Sequence, residues 1–205
     1  MRHILTKFSS MFDDEDWLPA EGCEILDFRS LEGTSRYCDP AAEEQICSML
    51  ASRPLNAVHW IDSGDYHYMT ALWLRNLQSP ASLVLFDNHP DDQPDAFGSD
   101  ILSCGSWMLE ARRNPMVKED SERVYLSIDL DVLSPDFART NWDQGSMSLE
   151  ELFGQIRKAL QGKTLAGIDI CGGITIAQGA SAEDLGINRR CRYAIEGFLN
   201  GSWIV

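Results

Sequence analysis

From residue 24 onward, short apolar runs of strand length alternate with stretches in which apolar side chains recur every three or four positions. Glu24–Phe28 reads as a first strand, and Asp39 and Pro40 open a helix carrying Ala42, Ile46, Met49 and Leu50. A second strand is expected over Asn56–Ile61. Asp62-Ser63-Gly64-Asp65 then supplies a turn and helix cap ahead of Met69, Leu72, Trp73 and Leu77. Ser82–Phe86 is continuously apolar after its first residue, the form of a strand buried on both faces of a parallel sheet. After a loop rich in Pro and Gly over Pro90–Gly98, Ile101–Arg112 predicts a helix and Val124–Leu133 a strand, broken by Ser134-Pro135. Ser148 and Glu151 have the spacing of a capping box before Leu152, Ile156 and Leu160. Thr164–Ile170 reads as a strand, Cys171–Ala180 as a loop, and Ser181–Leu199 as a final helix with Glu183 and Asp184 in its first turn. Residues 1–20 show no clear period and are expected to be an irregular or short-helical lead-in. Alternating strands and helices predict one three-layer α/β/α domain with a mainly parallel sheet, and no repeat or linker divides it.

Composition narrows the partners. The chain has 205 residues, 44% of them hydrophobic, which is enough to build a sizeable core. Seventeen basic against 32 acidic side chains give a net charge of -15, which repels phosphate backbones and anionic lipid headgroups. Nucleic acid and membrane are therefore excluded as expected partners, and a small-molecule substrate remains, with a homo-oligomer left open. Six cysteines without a Cys-x-x-Cys pair, and no sustained apolar leader, predict a reducing, cytoplasmic setting.

Candidate chemistry sits where predicted strands end. Asp87-Asn88-His89-Pro90-Asp91 follows one apolar run, and Asp129-Leu130-Asp131 lies inside another. In extended backbone alternate side chains share a face, so Asp87, His89 and Asp91 point one way, as do Asp129 and Asp131. Each like-charged pair at about 4 Å costs roughly 1 kcal/mol in water and about 4 kcal/mol at an effective dielectric near 20. Gathered carboxylates therefore ask for protons or cations. Ligand crevices in open α/β sheets lie beyond carboxyl ends of strands, and four successive ends carry candidate groups: Asp62 to His67, Asp87 to Asp91, Asp129 to Asp131, and Asp169. Carboxylates mixed with imidazole suit manganese, iron or zinc better than calcium, with manganese the first choice. His59, between Val58 and Trp60, is read as a core side chain, Cys104 and Cys171 as small buried residues, and Trp107 and Trp142 as packed aromatics.

Asp87-x-His89-x-Asp91, Ser127-x-Asp129-x-Asp131 followed by Ser134-Pro135, and Gly64-Asp65-Tyr66-His67 resemble, in this order, the three metal motifs of the arginase/agmatinase ureohydrolase family. The resemblance runs over roughly residues 56 to 200. It implies an arginase-like fold and two manganese ions sharing carboxylates around a bridging hydroxide that attacks a planar carbon. By the same resemblance His67, Asp87, Asp91 and Asp129 hold one ion, and His89, Asp87, Asp129 and Asp131 the other. Asp91 additionally orients the hydroxide, and Asp65 stands as an alternative to His67, because Tyr66 is extra to the family spacing. Gly172 replaces a glutamate that binds guanidinium in arginase-like enzymes, and Cys104 stands nearest the arginase branch's proton-shuttling histidine. These departures point away from a strict arginase. The expected activity is hydrolysis of a C–N bond in a guanidino, amidino or amide compound. A non-catalytic relative acting in binding or regulation is the alternative, and a two-metal phosphohydrolase, which needs basic groups that the motif loops lack, ranks last.

Overall fold

The computed structural model describes residues 1–94 and 101–201, so part of the expected 90–98 loop lies outside the described residues. In chain order the elements are β1 (His3–Lys7), α1 (Met11–Asp14), β2 (Glu24–Asp27), β3 (Tyr37–Cys38), α2 (Pro40–Leu50), β4 (Val58–Trp60), α3 (Met69–Leu74), β5 (Ser82–Phe86), β6 (Leu102–Ser103), α4 (Trp107–Arg113), β7 (Arg123–Asp129), α5 (Leu149–Leu160), β8 (Thr164–Cys171) and α6 (Ala182–Asn200). Six strands form one sheet in the order β2-β1-β4-β8-β7-β5, and every pairing in it is parallel. β3 and β6 pair antiparallel apart from it.

Side chains alternate across this sheet and build two cores. Ile4, Tyr125 and Ala166 face α2, α3 and α4, whose Ile46, Leu72 and Trp107 cover them. Leu5, Leu126 and Ile168 face the opposite way, onto Leu152 and Ile156 of α5 and Cys191 and Ile195 of α6. The result is the expected three-layer α/β/α arrangement. α5 begins with the expected capping box, Ser148 with Glu151, and Ser181 with Asp184 forms another at the start of α6.

Four expectations change. The irregular lead-in contains β1, a fully buried strand inside the sheet. Its polar residues hid it, because their partners lie far along the chain: Trp60 Nε1 donates to His3 Nδ1 at 3.0 Å, and Thr6 Oγ1 donates to the Trp60 carbonyl at 3.2 Å. The strand expected over Val124–Leu133 ends at Asp129 and turns into a 3-10 helix, Leu130–Val132. The helix expected over Ile101–Arg112 divides into β6 and α4. The helix expected to reach Leu77 stops at Leu74 and is preceded by a 3-10 turn, Gly64–Tyr66.

His59 is a core residue as read from sequence. It is fully buried and stacks on Trp73 with ring centroids 3.8 Å apart. Its Nε2 lies 3.2 Å from the Pro54 carbonyl, which only accepts, so Nδ1 accepts from the Tyr125 hydroxyl at 3.1 Å. Burial pushes the His59 pKa from 6.5 down to about 3. The unfolded chain therefore takes up this proton as pH falls below 6.5 while the folded chain does not, and stability drops by up to about 1.4 kcal/mol per pH unit down to about pH 3. Denaturant titrations of wild type and His59→Gln between pH 7 and pH 5 should show a shallower acid slope in the variant.

Candidate metal centre

Four adjacent strands, β4, β8, β7 and β5, end on the same side of the sheet, and the expected ligands stand beyond those ends. His67 follows the 3-10 turn after β4, and Asp87 follows β5 directly. Asp129 closes β7, while Asp131 lies in the 3-10 turn behind it. Strand alternation is therefore not what joins these groups. Asp129 Oδ1 accepts from the Asp131 backbone N–H at 2.9 Å, so the turn presents both carboxylates on one side. Asp91 is likewise off any strand and has a left-handed φ of 47°, which a short polar side chain tolerates best after glycine. Trp107 holds it there, with Nε1 donating to Asp91 Oδ2 at 2.5 Å.

His67, Asp87, His89, Asp91, Asp129 and Asp131 all line one cavity of about 170 Å³, together with Gly64, Pro90, Gln93, Cys104, Gly105 and Trp142. Two triads within it, His67–Asp87–Asp91 and Asp87–His89–Asp131, each bring their ligand atoms within 4.8 Å of one another and share Asp87. His67 Nδ1 lies 3.1 Å from Asp87 Oδ2, 3.0 Å from Asp91 Oδ2 and 3.5 Å from Asp129 Oδ2. His89 Nδ1 lies 2.8 Å from Asp131 Oδ2. Asp65 is not part of this group. Its Oδ1 is occupied by Arg36 Nε at 3.3 Å, Asn141 Nδ2 at 3.0 Å and Trp142 Nε1 at 3.1 Å, so it fastens the loop carrying Trp142.

Crowding decides the protonation of the cluster. Burial, then the neighbouring Asp131, holds the Asp129 carboxyl well above the usual range. Burial and Asp87 bring Asp131 up to about 6. Burial alone would lower the His67 pKa, but the carboxyls of Asp87 and Asp91 outweigh it and raise it well above the ordinary histidine value. Burial also opposes ionisation of Asp87, yet His67 beside it keeps its pKa below the usual value. Asp87 Oδ2 is buried and faces His67 Nδ1 at 3.1 Å. A buried carboxylate shared by two His/Asp triads is an arrangement that divalent cations satisfy.

Two glycines permit this packing. A Cβ on Gly64 would stand 2.7 Å from Trp142 Cδ1, and one on Gly172, whose φ is +106°, would stand 2.7 Å from Asp129 Oδ1. Gly172→Ala should therefore displace Asp129 and reduce divalent-metal binding, with the loss read by calorimetric titration of the folded variant.

The sequence reading left Trp142 without a role, although it walls the cavity, and did not single out Gln93 or Gly105. The Trp142 ring lies 5.9 Å from His89 and below the Arg36 guanidinium, 5.6 Å from its centroid. Cys104 lines the cavity, and burial pushes its thiol up to about 12, so it is neutral near pH 7. Cys171 is buried away from it, against the carbonyls of Asp62 and Ser63. Ser127 was read only as part of the motif that carries Asp129 and Asp131, and Thr70 was not singled out. The placing of Ser127 two residues before Asp129, on one face of the same strand, was the available signal.

Comparison with known proteins bears on the fold. No family model matches the chain. An uncharacterized protein of Thermotoga maritima is 29% identical over 199 residues, covering 83% of this chain and 78% of that protein. A hypothetical agmatinase from Burkholderia thailandensis superposes with a TM-score of 0.61 at 18% identity, over 97% of this chain and 84% of that one. An arginase from Medicago truncatula gives 0.62 at 15% identity, over 96% and 86%. Proclavaminate amidino hydrolase from Streptomyces clavuligerus gives 0.67 at 11% identity, over 96% and 90%. With its all-parallel sheet and the acidic cleft at four neighbouring strand ends, the chain has the fold of the arginase/agmatinase ureohydrolases.

Proposed function

We propose that the chain is a divalent-metal hydrolase that cleaves a C–N bond of a guanidino, amidino or amide small molecule. His67, Asp87, Asp91 and Asp129 would hold one ion, and His89, Asp87, Asp129 and Asp131 the second, with manganese the metal that best suits this donor set. The observation that carries the reading is the convergence of two His/Asp triads on the buried side chain of Asp87, which both share. When bound, two such cations lower the pKa of water and polarise a planar carbon–oxygen or carbon–nitrogen bond. The chain supplies placement. Asp91, fixed by Trp107, orients the attacking water, and Trp142 and Pro90 line the cavity.

The four aspartates that line the cavity are assigned to the ions, Asp65 Oδ1 is committed to three donors, and position 172 is glycine, so among the described residues none of these is left to pair a guanidinium. Arginine is accordingly not the proposed substrate. A cytoplasmic protein acting on small molecules, without nucleic acid or membrane partners, fits the acidic composition. Among the described residues no helix is long and apolar enough to cross a membrane.

Metal analysis of protein purified without chelator should find about two divalent ions per chain. A urea and ammonia release assay over guanidino, amidino and amide compounds then tests turnover. Metal without turnover on any of them would favour the binding or regulatory alternative, to which the neutral Cys104 thiol lends support.

A further inference from the structure

Behind the cavity, His67 is backed by a buried polar chain that none of the proposed ligands belongs to. The register of the sheet sets Ser127 of β7 beside Asp169 of β8. Ser127 Oγ donates to Asp169 Oδ1 at 2.7 Å, and it lies 3.0 Å from His67 Nε2 and 3.2 Å from Thr70 Oγ1. Ser127 and Asp169 are fully buried, and so is Thr70. A serine hydroxyl has one proton and two lone pairs. With its proton committed to a carboxylate, Ser127 receives both other contacts: one lone pair takes the Thr70 hydroxyl proton, and the other takes N–H from His67 Nε2. Nδ1 is then the nitrogen left to face Asp87, Asp91 and Asp129.

We infer that Asp169, acting through Ser127, is a positioning residue that keeps the proton on His67 Nε2, so that Nδ1 is the nitrogen that gives up its proton to a divalent cation. The inference rests on the metal reading of the cavity. It differs from an ordinary packing role in that the direction of one hydroxyl proton decides which imidazole nitrogen is free. Leucine at 169 keeps much of the volume and removes the acceptor of the Ser127 proton. The serine proton is then free to turn toward His67 Nε2, which favours a ring that keeps its proton on Nδ1, the nitrogen that a cation needs bare.

The test uses the full chain labelled with 15N-histidine and titrated with zinc, a closed-shell ion that leaves ring-nitrogen signals sharp. Wild type should show a protonated Nε2 on His67 and a zinc-dependent shift at Nδ1. Asp169→Leu should lose that pattern and bind zinc roughly 10- to 100-fold more weakly, the usual cost of removing a partner that orients a metal-binding histidine. Should that variant not fold, Ser127→Ala should weaken zinc binding in the same direction and Ser127→Thr should restore it. Zinc bound through Nε2 in wild type, or an unchanged affinity and ring spectrum in the folded variants, overturns the inference alone. Wild type that takes up no zinc overturns the metal reading, and the inference with it.

Discussion

Asp129→Asn should leave the metal-free protein folded and at least as stable as wild type, while abolishing both its thermal response to manganese and any turnover. The asymmetry follows from crowding. Asp129 is 3% exposed, its carboxyl is pushed up by burial and by Asp131, and Asp87 adds to the repulsion. An amide of the same shape removes that repulsion and still lets Oδ1 accept from the Asp131 N–H. What it removes is a negative charge proposed to lie between both cations. Ligand at a hundred times its dissociation constant stabilises the folded state by about 2.7 kcal/mol, which for a chain of this size raises Tm by roughly 5–10 °C. Scanning calorimetry with and without manganese reads both halves of the expectation. A metal-dependent rise that persists in Asp129→Asn would remove Asp129 from the centre. A variant that unfolds without metal would show that its ionised carboxylate is structural.

Arg192→Met should destabilise the chain by about 3–5 kcal/mol, the usual result of stranding one member of a buried ion pair. The Arg192 guanidinium is fully buried on α6, and Nε and Nη2 both donate to the carboxylate of Glu15, which is equally buried. Nη2 also donates to the Gly172 carbonyl at 2.8 Å, and the guanidinium lies over the Phe12 ring, 4.8 Å from its centroid. Removing the arginine leaves Glu15 uncompensated. Glu15→Leu combined with Arg192→Met should recover much of the loss, since it buries no lone charge. Urea denaturation of the two single variants and the double variant measures the coupling. Additive losses would mean that the two residues act independently. Arg192→Lys should not rescue, because an ammonium cannot span Glu15 and Gly172 with one planar fork.

The fold was legible where local pattern and tertiary role agreed. Helix α5 has its capping box and its buried Leu152 and Ile156, and β5 has its apolar run, because each needs only neighbours in the chain to announce itself. β1 was not legible, since His3, Thr6 and Lys7 are polar and their partners Trp60 and Asp13 come later in the chain. The site was legible for a different reason. Carboxylates and imidazoles at successive strand ends converge whenever those strands lie side by side, and β4, β8, β7 and β5 do. The mode of convergence was not: the Asp91 backbone bends left-handed, and Asp131 sits on a 3-10 turn, neither of which an alternating pattern announces. Nor did spacing discriminate His67 from Asp65, a choice that rests on Arg36, Asn141 and Trp142 gathering around the latter.

The strand order sets the moment at which the centre can exist during synthesis. β4 and β7 never pair with each other; both pair with β8, the last strand in the chain. Until residues 164–171 leave the ribosome, the nascent protein has at most two separate half-sheets, β2-β1-β4 leading toward His67 and β7-β5 bearing the five other cavity groups. Insertion of β8 joins them, and Asp169, which braces His67 through Ser127, arrives on that same strand. A nascent chain halted before residue 164 therefore has at most the Asp87–His89–Asp131 triad, and the joining of the two triads belongs to the closing step of folding.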